Sequence, residues 1–522
     1  MILISIKSKH IFAVRRTDMS KNTSNEVFRY GIDTLNLDRI MRLATGQLEG
    51  VLDAAGRAQI ERCRNYVLQM AASQRAVYGL NTGFGPLCDV RISAEETGKL
   101  QENLLLTHAV GVGDYIDPLY SKIMMICKVH ALAQGYSGVR TELVDRILYF
   151  IRHDLLPAVP EQGSVGASGD LAPLSHLFLP LLGEGAFWVD GRVIEAKEVL
   201  REHDLQPLSF RAKEGLALIN GTQFILAHAI VGLHRMKYLI QLADLAGAMT
   251  LEGYQGSSSP FREALHRIRP FEGNVEVARH MSALLEGSEN NASHASCSRV
   301  QDPYSIRCIP QVHGAVRAAW KHLLELAEIE MNAVTDNPVI LNEAESISGG
   351  NFHGQPLAFA LDYATLAASG LGNISDRRCY LLLEGKFGLP RLLTDKGGLN
   401  SGYMIPQYTT AALASENKTM CFPASADSIP TSLGQEDFVS MGSIAGRKFN
   451  RVLENVEKIL AIELLYAAQA IEFRRPLRCS EVVEENMRRI RARVPKLEED
   501  RLLKDDIQTM IEMVKSRSFE TG

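Results

Sequence analysis

The sequence predicts a mainly α-helical protein, with a long central helical bundle and a glycine-rich, loop-dominated N-terminal region that carries the active site. Proline is absent from residues 208–259 and 431–475, and in both intervals apolar residues recur at three- and four-residue steps, as on the buried face of a helix. Glycine clusters lie outside these intervals and are typical of functional loops on a rigid scaffold.

Long helices are predicted in order along the chain. Phe224–Thr250 is apolar on more than one face, which indicates a helix packed on several sides. Leu323–Val334 has the same pattern and ends before Asp336-Asn337-Pro338, a sequence that terminates helices. A further helix with one buried face is predicted from five apolar residues at helical spacing: Val456, Ile459, Leu460, Ile462 and Leu465.

Strands are predicted to be scarce. Phe187–Ile194 alternates in polarity around Asp190-Gly191, which predicts one hairpin. We divide the chain into three regions. Residues 1–30 form an N-terminal extension for which disorder is one possibility, residues 31–225 form the active-site region, and residues 226–522 form the long-helix bundle with the C-terminal helices.

The composition is that of a globular protein in a reducing compartment. Of 522 residues, 46% are hydrophobic, and 56 Lys and Arg against 61 Asp and Glu give a net charge of −5. This balance argues against nucleic-acid binding. The eight cysteines include no Cys-x-x-Cys pair, which favours a cytoplasmic location. The sequence predicts no membrane span, and the histidines lack the spacing of metal ligands.

Residues 163–176 read Gly-Ser-Val-Gly-Ala-Ser-Gly-Asp-Leu-Ala-Pro-Leu-Ser-His, and three familiar interpretations of such a segment fail. The lysine of a phosphate loop and the glycine spacing of a dinucleotide-binding loop are both missing. A serine-hydrolase elbow needs Gly-x-Ser-x-Gly, whereas Ser168 follows Ala167 and directly precedes Gly169. A hydrolase that uses Ser168 with His176 is kept as a remote alternative.

Cyclisation of the chain itself fits this segment. In a tight turn the amide nitrogen of Gly169 can attack the carbonyl carbon of Ala167. Loss of water there and from the Ser168 side chain leaves a five-membered ring with an exocyclic methylidene. Small flanking residues permit closure, because glycine tolerates the strained backbone that it needs. The product is an electrophile, which ordinary side chains do not supply.

The segment resembles the prosthetic-group motif of the aromatic amino acid ammonia-lyases, in which Ala-Ser-Gly forms 4-methylideneimidazol-5-one. The resemblance covers nearly the whole chain and continues through residues 213–223, 301–308, 349–354, 398–402, 415–418, 435–437 and 461–465. It implies a small-molecule amino acid substrate and no external cofactor. It also implies a homotetramer whose active sites are shared between chains.

The resemblance also implies roles for individual residues. Tyr78 is implied to be the base that removes the β-proton of the substrate. Arg307 is implied to bind the substrate carboxylate, a task that suits a planar guanidinium. Asn220, Gln301 and Tyr304 are implied to position the ring and the substrate.

Four further positions concern the substrate side chain. Thr107-His108 resembles the pair found in histidine-acting members of the family. Glu416 is implied to pair with an imidazole N–H, which a carboxylate can accept, and Phe352 is implied to pack beneath the ring.

Two positions depart from the histidine-acting pattern. Phe422 stands before a proline where those members usually carry histidine, and Ile309 replaces a commonly polar residue. The expected activity is the deamination of L-histidine to trans-urocanate and ammonia. A tyrosine or phenylalanine lyase and an aminomutase remain alternatives, because they share the same motifs.

Overall fold

The computed structural model describes residues 26–72, 79–80, 82–87, 89–93, 95–295 and 300–522. The described chain divides into two compact units. The first holds the described residues up to Val231 together with Leu324–Phe359 and Ala424–Gly446. The second holds Gly232–Leu323, Ala360–Pro423 and Arg447–Gly522. The predicted region boundaries at residues 30 and 225 stay predictions.

The first unit combines helices of moderate length with short strands. Its helices are α1 (Leu37–Ala44), α2 (Ala54–Ala72), α3 (Thr97–His108), α4 (Pro118–Ala133), α5 (Thr141–Arg152), α6 (Leu171–Phe178), α7 (Ala196–Glu202) and α8 (Glu214–Ile219). Its strands are β1 (Val27–Arg29), β2 (Glu49–Val51), β3 (Val112–Tyr115), β4 (Leu156–Pro157), β5 (Pro160–Gln162), β6 (Ala186–Val189), β7 (Arg192–Glu195), β8 (Val339–Ile340) and β9 (Ser346–Ile347).

These strands form small sheets. β1 pairs with β2 in parallel, and the pairs β3–β5 and β8–β9 are antiparallel. β4, β6 and β7 form a three-stranded antiparallel sheet. The predicted hairpin is present, with Phe187 opposite Ile194. Asp190 and Gly191 at its turn have φ angles of +48° and +75°, as a two-residue hairpin turn requires.

Four long helices contribute most of their length to the second unit. They are α9 (Gln223–Tyr254), α14 (Ile309–Met331), α15 (Gln355–Leu383) and α17 (Gly442–Glu472). The other helices of this unit are α10 (Glu263–Arg267), α11 (Glu272–Leu284), α12 (Glu289–Ser293), α13 (Tyr304–Arg307), α16 (Met404–Met420), α18 (Glu481–Arg491) and α19 (Leu503–Lys515).

The long helices of the second unit pack closely against one another. The five periodic residues predicted on α17 are all fully buried. A Cβ added at Gly253 of α9 would lie 2.6 Å from the Cβ of Ala470 on α17. One added at Gly372 of α15 would lie 3.2 Å from Ile459 Cδ1. The mainly α prediction with a long helical bundle is confirmed.

One predicted helix is longer than expected. Residues 323–331 of the pattern at Leu323–Val334 form the C-terminal part of α14, which begins at Ile309 and ends at Met331, three residues before the predicted end. Pro310 obscures this start in the sequence, although proline is tolerated in the first turn of a helix. Among the described helices, none is both long and apolar enough to cross a membrane.

Candidate active site

The Ala-Ser-Gly segment lies in a tight turn between β5 and α6 of the first unit. Ser168 has a left-handed backbone with φ of +50°, between Gly166 at +80° and Gly169 at +82°. This conformation is easy for glycine and unfavourable for serine. Backbone strain is therefore concentrated at the residue that the sequence predicts to react.

The flanking glycines are also required by packing. A Cβ at Gly169 would overlap the carbonyl oxygen of Gly221, and a Cβ at Gly166 would overlap the hydroxyl of Ser440. The backbone N–H of Asp170 donates to Gly221 O over 2.8 Å, which holds the two segments together. The turn admits only residues without bulk at these positions, so the residues present fit the ring closure that the sequence predicts.

Asp170 anchors the turn to the start of α9. Its Oδ2 accepts the backbone N–H groups of Phe224 and Ile225, each at 3.0 Å, and its Oδ1 accepts the Ser164 hydroxyl at 3.2 Å. Burial raises the pKa of Asp170 to about 7, although these hydrogen bonds act in the opposite direction. Both carboxyl oxygens are thus engaged in holding the turn.

Asn220 directly precedes Gly221, the residue whose backbone is hydrogen-bonded to the turn. Its carbonyl accepts a hydrogen bond from the buried Lys128 ammonium at 2.5 Å, and Lys128 also donates to Ala217 O at 3.2 Å. The side-chain Oδ1 of Asn220 is buried and has no partner among the described residues. A buried acceptor without a donor is uncommon, and it fits the predicted role of Asn220 in positioning the ring and the substrate.

Glu436 is the carboxylate that accepts a hydrogen bond from the reactive serine. The Ser168 hydroxyl donates to Glu436 Oε1 at 2.6 Å. The other oxygen, Oε2, accepts the hydroxyls of Thr431 at 3.1 Å and Ser432 at 2.6 Å. Glu436 lies in the motif at residues 435–437, for which the sequence predicts no individual role.

His108 belongs to the same part of the first unit. Burial lowers the pKa of His108, an effect opposed by the backbone at Leu104 and by the negative charge of Glu436. The Thr107 hydroxyl lies 3.1 Å from His108 Nδ1 and donates to Asn103 O at 2.8 Å. Because that donation uses the hydroxyl proton, Nδ1 is the donor to Thr107, and Nε2 of the neutral ring is an acceptor.

Two further residues of the predicted site are Phe352 and Tyr78. Phe352 is half-buried in the loop before α15 and lies in the first unit. Tyr78 lies outside the described residues, so its predicted role stays a prediction.

The proposed carboxylate-binding residue and its neighbour lie on α13 in the second unit. The guanidinium carbon of Arg307 lies 4.4 Å from the centre of the Tyr304 ring, a cation–π contact. Arg307 Nε is buried and has no partner among the described residues, whereas Tyr304 is 70% exposed. Gln301 is exposed just before this helix.

The remaining positions of the predicted site are also in the second unit. Glu416 on α16 is 40% exposed and lies 3.8 Å from an Arg451 nitrogen. Phe422 is exposed, and its carbonyl accepts a hydrogen bond from Lys448. Ile309 is fully buried at the start of α14, against the position of Gly247, where an apolar side chain suits the packing.

The hydrogen bonds do not support the hydrolase alternative. His176 Nε2, the atom that would take the serine proton, accepts the backbone N–H of Gly111 at 3.0 Å. Burial lowers the pKa of His176, while the Ser168 hydroxyl is directed to Glu436. Within the described residues, no cluster of three or more His, Cys, Asp or Glu side chains is arranged to hold a metal ion.

Comparison with known proteins identifies the family of the chain. The aromatic amino acid lyase profile matches residues 35–492. The histidine ammonia-lyase of Anaeromyxobacter sp. (strain K) is 47% identical over 94% of this chain and 98% of its own length. The solved histidine ammonia-lyase of Trypanosoma cruzi is 40% identical, with a TM-score of 0.86 over 94% of each chain. The tyrosine aminomutase of Streptomyces globisporus is 35% identical, with a TM-score of 0.89 over 95% of this chain and 97% of that one.

Proposed function

The chain belongs to the aromatic amino acid lyase family, and we propose that it is an ammonia-lyase that converts L-histidine to trans-urocanate and ammonia. The observation that carries the proposal is the Ala167–Gly169 turn, in which a left-handed Ser168 lies between residues that admit no bulk. Identity to the histidine ammonia-lyases, at 47% for the Anaeromyxobacter protein, supports histidine as the substrate.

The prosthetic group is proposed to form from this chain alone. Cyclised Ala167-Ser168-Gly169 supplies an electrophilic methylidene, which makes the substrate amino group a better leaving group. The backbone of Gly221 is hydrogen-bonded to the turn, and the side-chain oxygen of the adjacent Asn220 is buried without a partner among the described residues. No external cofactor is needed for this chemistry.

The substrate is proposed to be held and deprotonated by side chains of this chain. Arg307 pairs with its carboxylate through the planar guanidinium, while Asn220, Gln301 and Tyr304 position it. Tyr78 removes the β-proton. A phenol has a pKa of about 10, so this role requires a site that stabilises the phenolate.

Two carboxylates compete for the imidazole N–H of the substrate. The family resemblance points to Glu416, whereas the contact with Ser168 and the charge felt by His108 favour Glu436. We expect Glu436→Gln to lower kcat/KM for histidine by about a hundredfold or more, as for the loss of an acid–base or charged partner. Glu416→Gln is the matched variant. Both rates are expressed per chain in which residues 167–169 have lost two waters, as measured by mass spectrometry, so that the larger loss identifies the residue that contacts the substrate.

Substrate and product together test the proposed reaction. Purified protein is given L-histidine, L-tyrosine and L-phenylalanine, and ultraviolet absorbance and ammonia release are followed. We expect urocanate from histidine and no activity in Ser168→Ala. Formation of cinnamate or coumarate would show that phenylalanine or tyrosine is the substrate instead of histidine. A β-amino acid product would indicate an aminomutase, and the solved tyrosine aminomutase has a similar fold, with a TM-score of 0.89.

A homotetramer with shared sites is proposed as the working form. Exposed apolar residues lie along one side of α15 within the second unit, namely Tyr363, Leu366 and Tyr380. Such surfaces are typical of faces that another chain covers. A cytoplasmic location is also proposed, since the six described cysteines are free and four of them are buried.

A further inference from the structure

The hydrogen bond between Ser168 and Glu436 joins a carboxyl group to the hydroxyl that ring formation would eliminate. Ser168 Oγ lies 2.6 Å from Glu436 Oε1, although the two residues are 268 positions apart in the chain. A contact of this length is at the short end for an O–H···O hydrogen bond. It places an acid–base group directly on the leaving atom before the ring has formed.

The carboxyl group is held in this position by its own loop. Glu436 Oε2 accepts the hydroxyls of Thr431 and Ser432, and Thr431 N donates to Glu436 O at 2.9 Å. Ser432 and Leu433 both have left-handed backbones, with φ of +52° and +56°. Strained residues of this kind persist where the surrounding structure fixes them. Within this loop, the hydroxyls of Thr431 and Ser432 hold the carboxyl group in place.

We propose that Glu436 is a catalytic residue in the formation of the prosthetic group, where it protonates the departing hydroxyl of Ser168. This inference rests on the proposed function, because it concerns the ring that the function requires. The proposed step is a self-processing reaction of the newly folded chain, and it takes place before the substrate binds.

The two dehydrations balance as follows. Gly169 N bonds to the carbonyl carbon of Ala167, and the first water carries away that carbonyl oxygen with the amide protons of Gly169 and Ser168. In the second, the Cα–H bond of Ser168 breaks, and its electron pair forms the Cα=Cβ double bond as the Cβ–Oγ bond breaks. Glu436 Oε1, which accepts the Ser168 hydroxyl in the structure, takes a proton from solvent and passes it to Oγ, which leaves as water. Solvent receives the Cα proton, so the protons balance and no oxidant or reductant is needed.

The neighbouring acid–base groups are engaged elsewhere. Asp170 uses both carboxyl oxygens to accept the Ser164 hydroxyl and two backbone N–H groups. His176 Nε2 accepts the backbone N–H of Gly111. Among the described residues that contact the serine hydroxyl, the group able to give it a proton is therefore Glu436.

The test measures maturation and not turnover. Wild-type protein, Glu436→Gln and Glu436→Ala are synthesised in a cell-free system, and the proteolytic peptide that contains residues 163–176 is weighed by mass spectrometry over time. Asp437→Asn is the matched control, because it removes a charge from the adjacent position of the same loop. We expect wild type and Asp437→Asn to lose the mass of two waters. We expect both Glu436 variants to slow the second loss by about a hundredfold or more, as for a missing general acid, so that a peptide lacking one water accumulates.

The outcomes separate this inference from the proposed function. A wild-type peptide that never loses water contradicts the proposed function itself. Wild-type maturation together with equally fast maturation of Glu436→Gln overturns the inference alone. Thermal unfolding checks that the variants fold. If neither Glu436 variant folds, Glu436→Asp is used, because it keeps the acid but places it one methylene further from Ser168. We expect the peptide lacking one water to accumulate in this variant. Maturation at the wild-type rate would also overturn the inference.

Discussion

Lys128 shows how one buried side chain can set the geometry of the reactive turn. Its ammonium is buried within the first unit and donates to the carbonyl oxygens of Ala217 and Asn220. Burial lowers its pKa to about 7. The lysine thus fixes the end of α8, where the chain turns toward Gly221 and the backbone pairing with the Ser168 segment.

Replacing Lys128 should therefore lower activity, although the lysine side chain is not assigned a contact with the substrate. Lys128→Met leaves two carbonyls without their donor, and we expect the shifted segment to lower kcat by about a hundredfold, as small misplacements near a site do. Lys122→Met is the control. Lys122 lies on the same helix, but its ammonium pairs with the exposed Asp154. Steady-state kinetics that show equal losses in both variants would contradict this role.

Residues that act together could be predicted only where the chain itself places them side by side. Ala167, Ser168 and Gly169 are adjacent, so their chemistry is visible in the sequence. Glu436 meets Ser168 only through the fold, and its contact partner lies in another segment of the first unit. The motif at residues 435–437 indicates that Glu436 belongs to the site, but Glu416 also lies in a family motif. A single sequence does not show which of the two carboxylates faces the serine.

At the scale of elements, periodicity predicts helices well and their ends poorly. The five apolar positions on α17 are buried as predicted, because a long amphipathic face constrains every turn. The start of α14 was missed because Pro310 resembles a helix breaker, and helix ends depend on local caps. The charged residues inside the bundle were not predicted, since burial of a charge is decided by partners on other helices.

Glu463 is the clearest of these buried charges. Within the second unit it accepts hydrogen bonds from Arg378 of α15 at 2.5 and 2.9 Å, from Ser375 at 2.5 Å and from Thr250 of α9 at 2.9 Å. Glu463 and Arg378 are both fully buried. This carboxylate therefore connects α17 to two other helices of the bundle.

Loss of the Glu463 charge should destabilise the bundle strongly. We expect Glu463→Gln to lower the free energy of unfolding by about 3–5 kcal/mol, because Arg378 is left as an uncompensated buried charge. Glu454→Gln on the same helix is the control. The Glu454 side chain is 36% exposed and pairs with the half-exposed Arg451 at 3.1 Å and with Arg235 at 3.8 Å, so its loss should cost about 0–1 kcal/mol. Urea unfolding at neutral pH measures both, and a similar small loss in each would refute the argument.

At the scale of the whole molecule, the exposed side of α15 bears on assembly. Leu366 is 57% exposed in the single chain and is proposed to be buried in the homotetramer. We expect Leu366→Glu to raise the dissociation constant of the assembly by about a hundredfold or more, since an unpaired buried carboxylate costs several kcal/mol. Activity should fall with dissociation. Sedimentation velocity compares the assembly of Leu366→Glu with that of Leu502→Glu, a change at an exposed position before α19. An intact Leu366→Glu tetramer would show that this face of α15 is not part of the subunit interface.

Asp244 makes the stability of the molecule depend on pH. This fully buried carboxylate of α9 accepts hydrogen bonds from His280 at 2.7 Å, His313 at 2.6 Å and Arg317 at 2.5 Å, all within the second unit. Burial opposes its ionisation, but the hydrogen bonds and positive charges of these partners hold the pKa of Asp244 well below its usual range.

The direction of the pH effect follows from that lowered pKa. An unfolded aspartate titrates at about 3.9, so the ionised Asp244 stabilises the folded chain at every pH above that value. This contribution is lost as the pH falls below about 4 toward the lower folded pKa. We expect Asp244→Asn to be less stable than wild type by about 3–5 kcal/mol at pH 7, with the gap narrowing steadily in acid. Urea unfolding of both proteins between neutral and acidic pH measures the gap. A gap that stays constant across this range would show that the charge of Asp244 does not stabilise the fold.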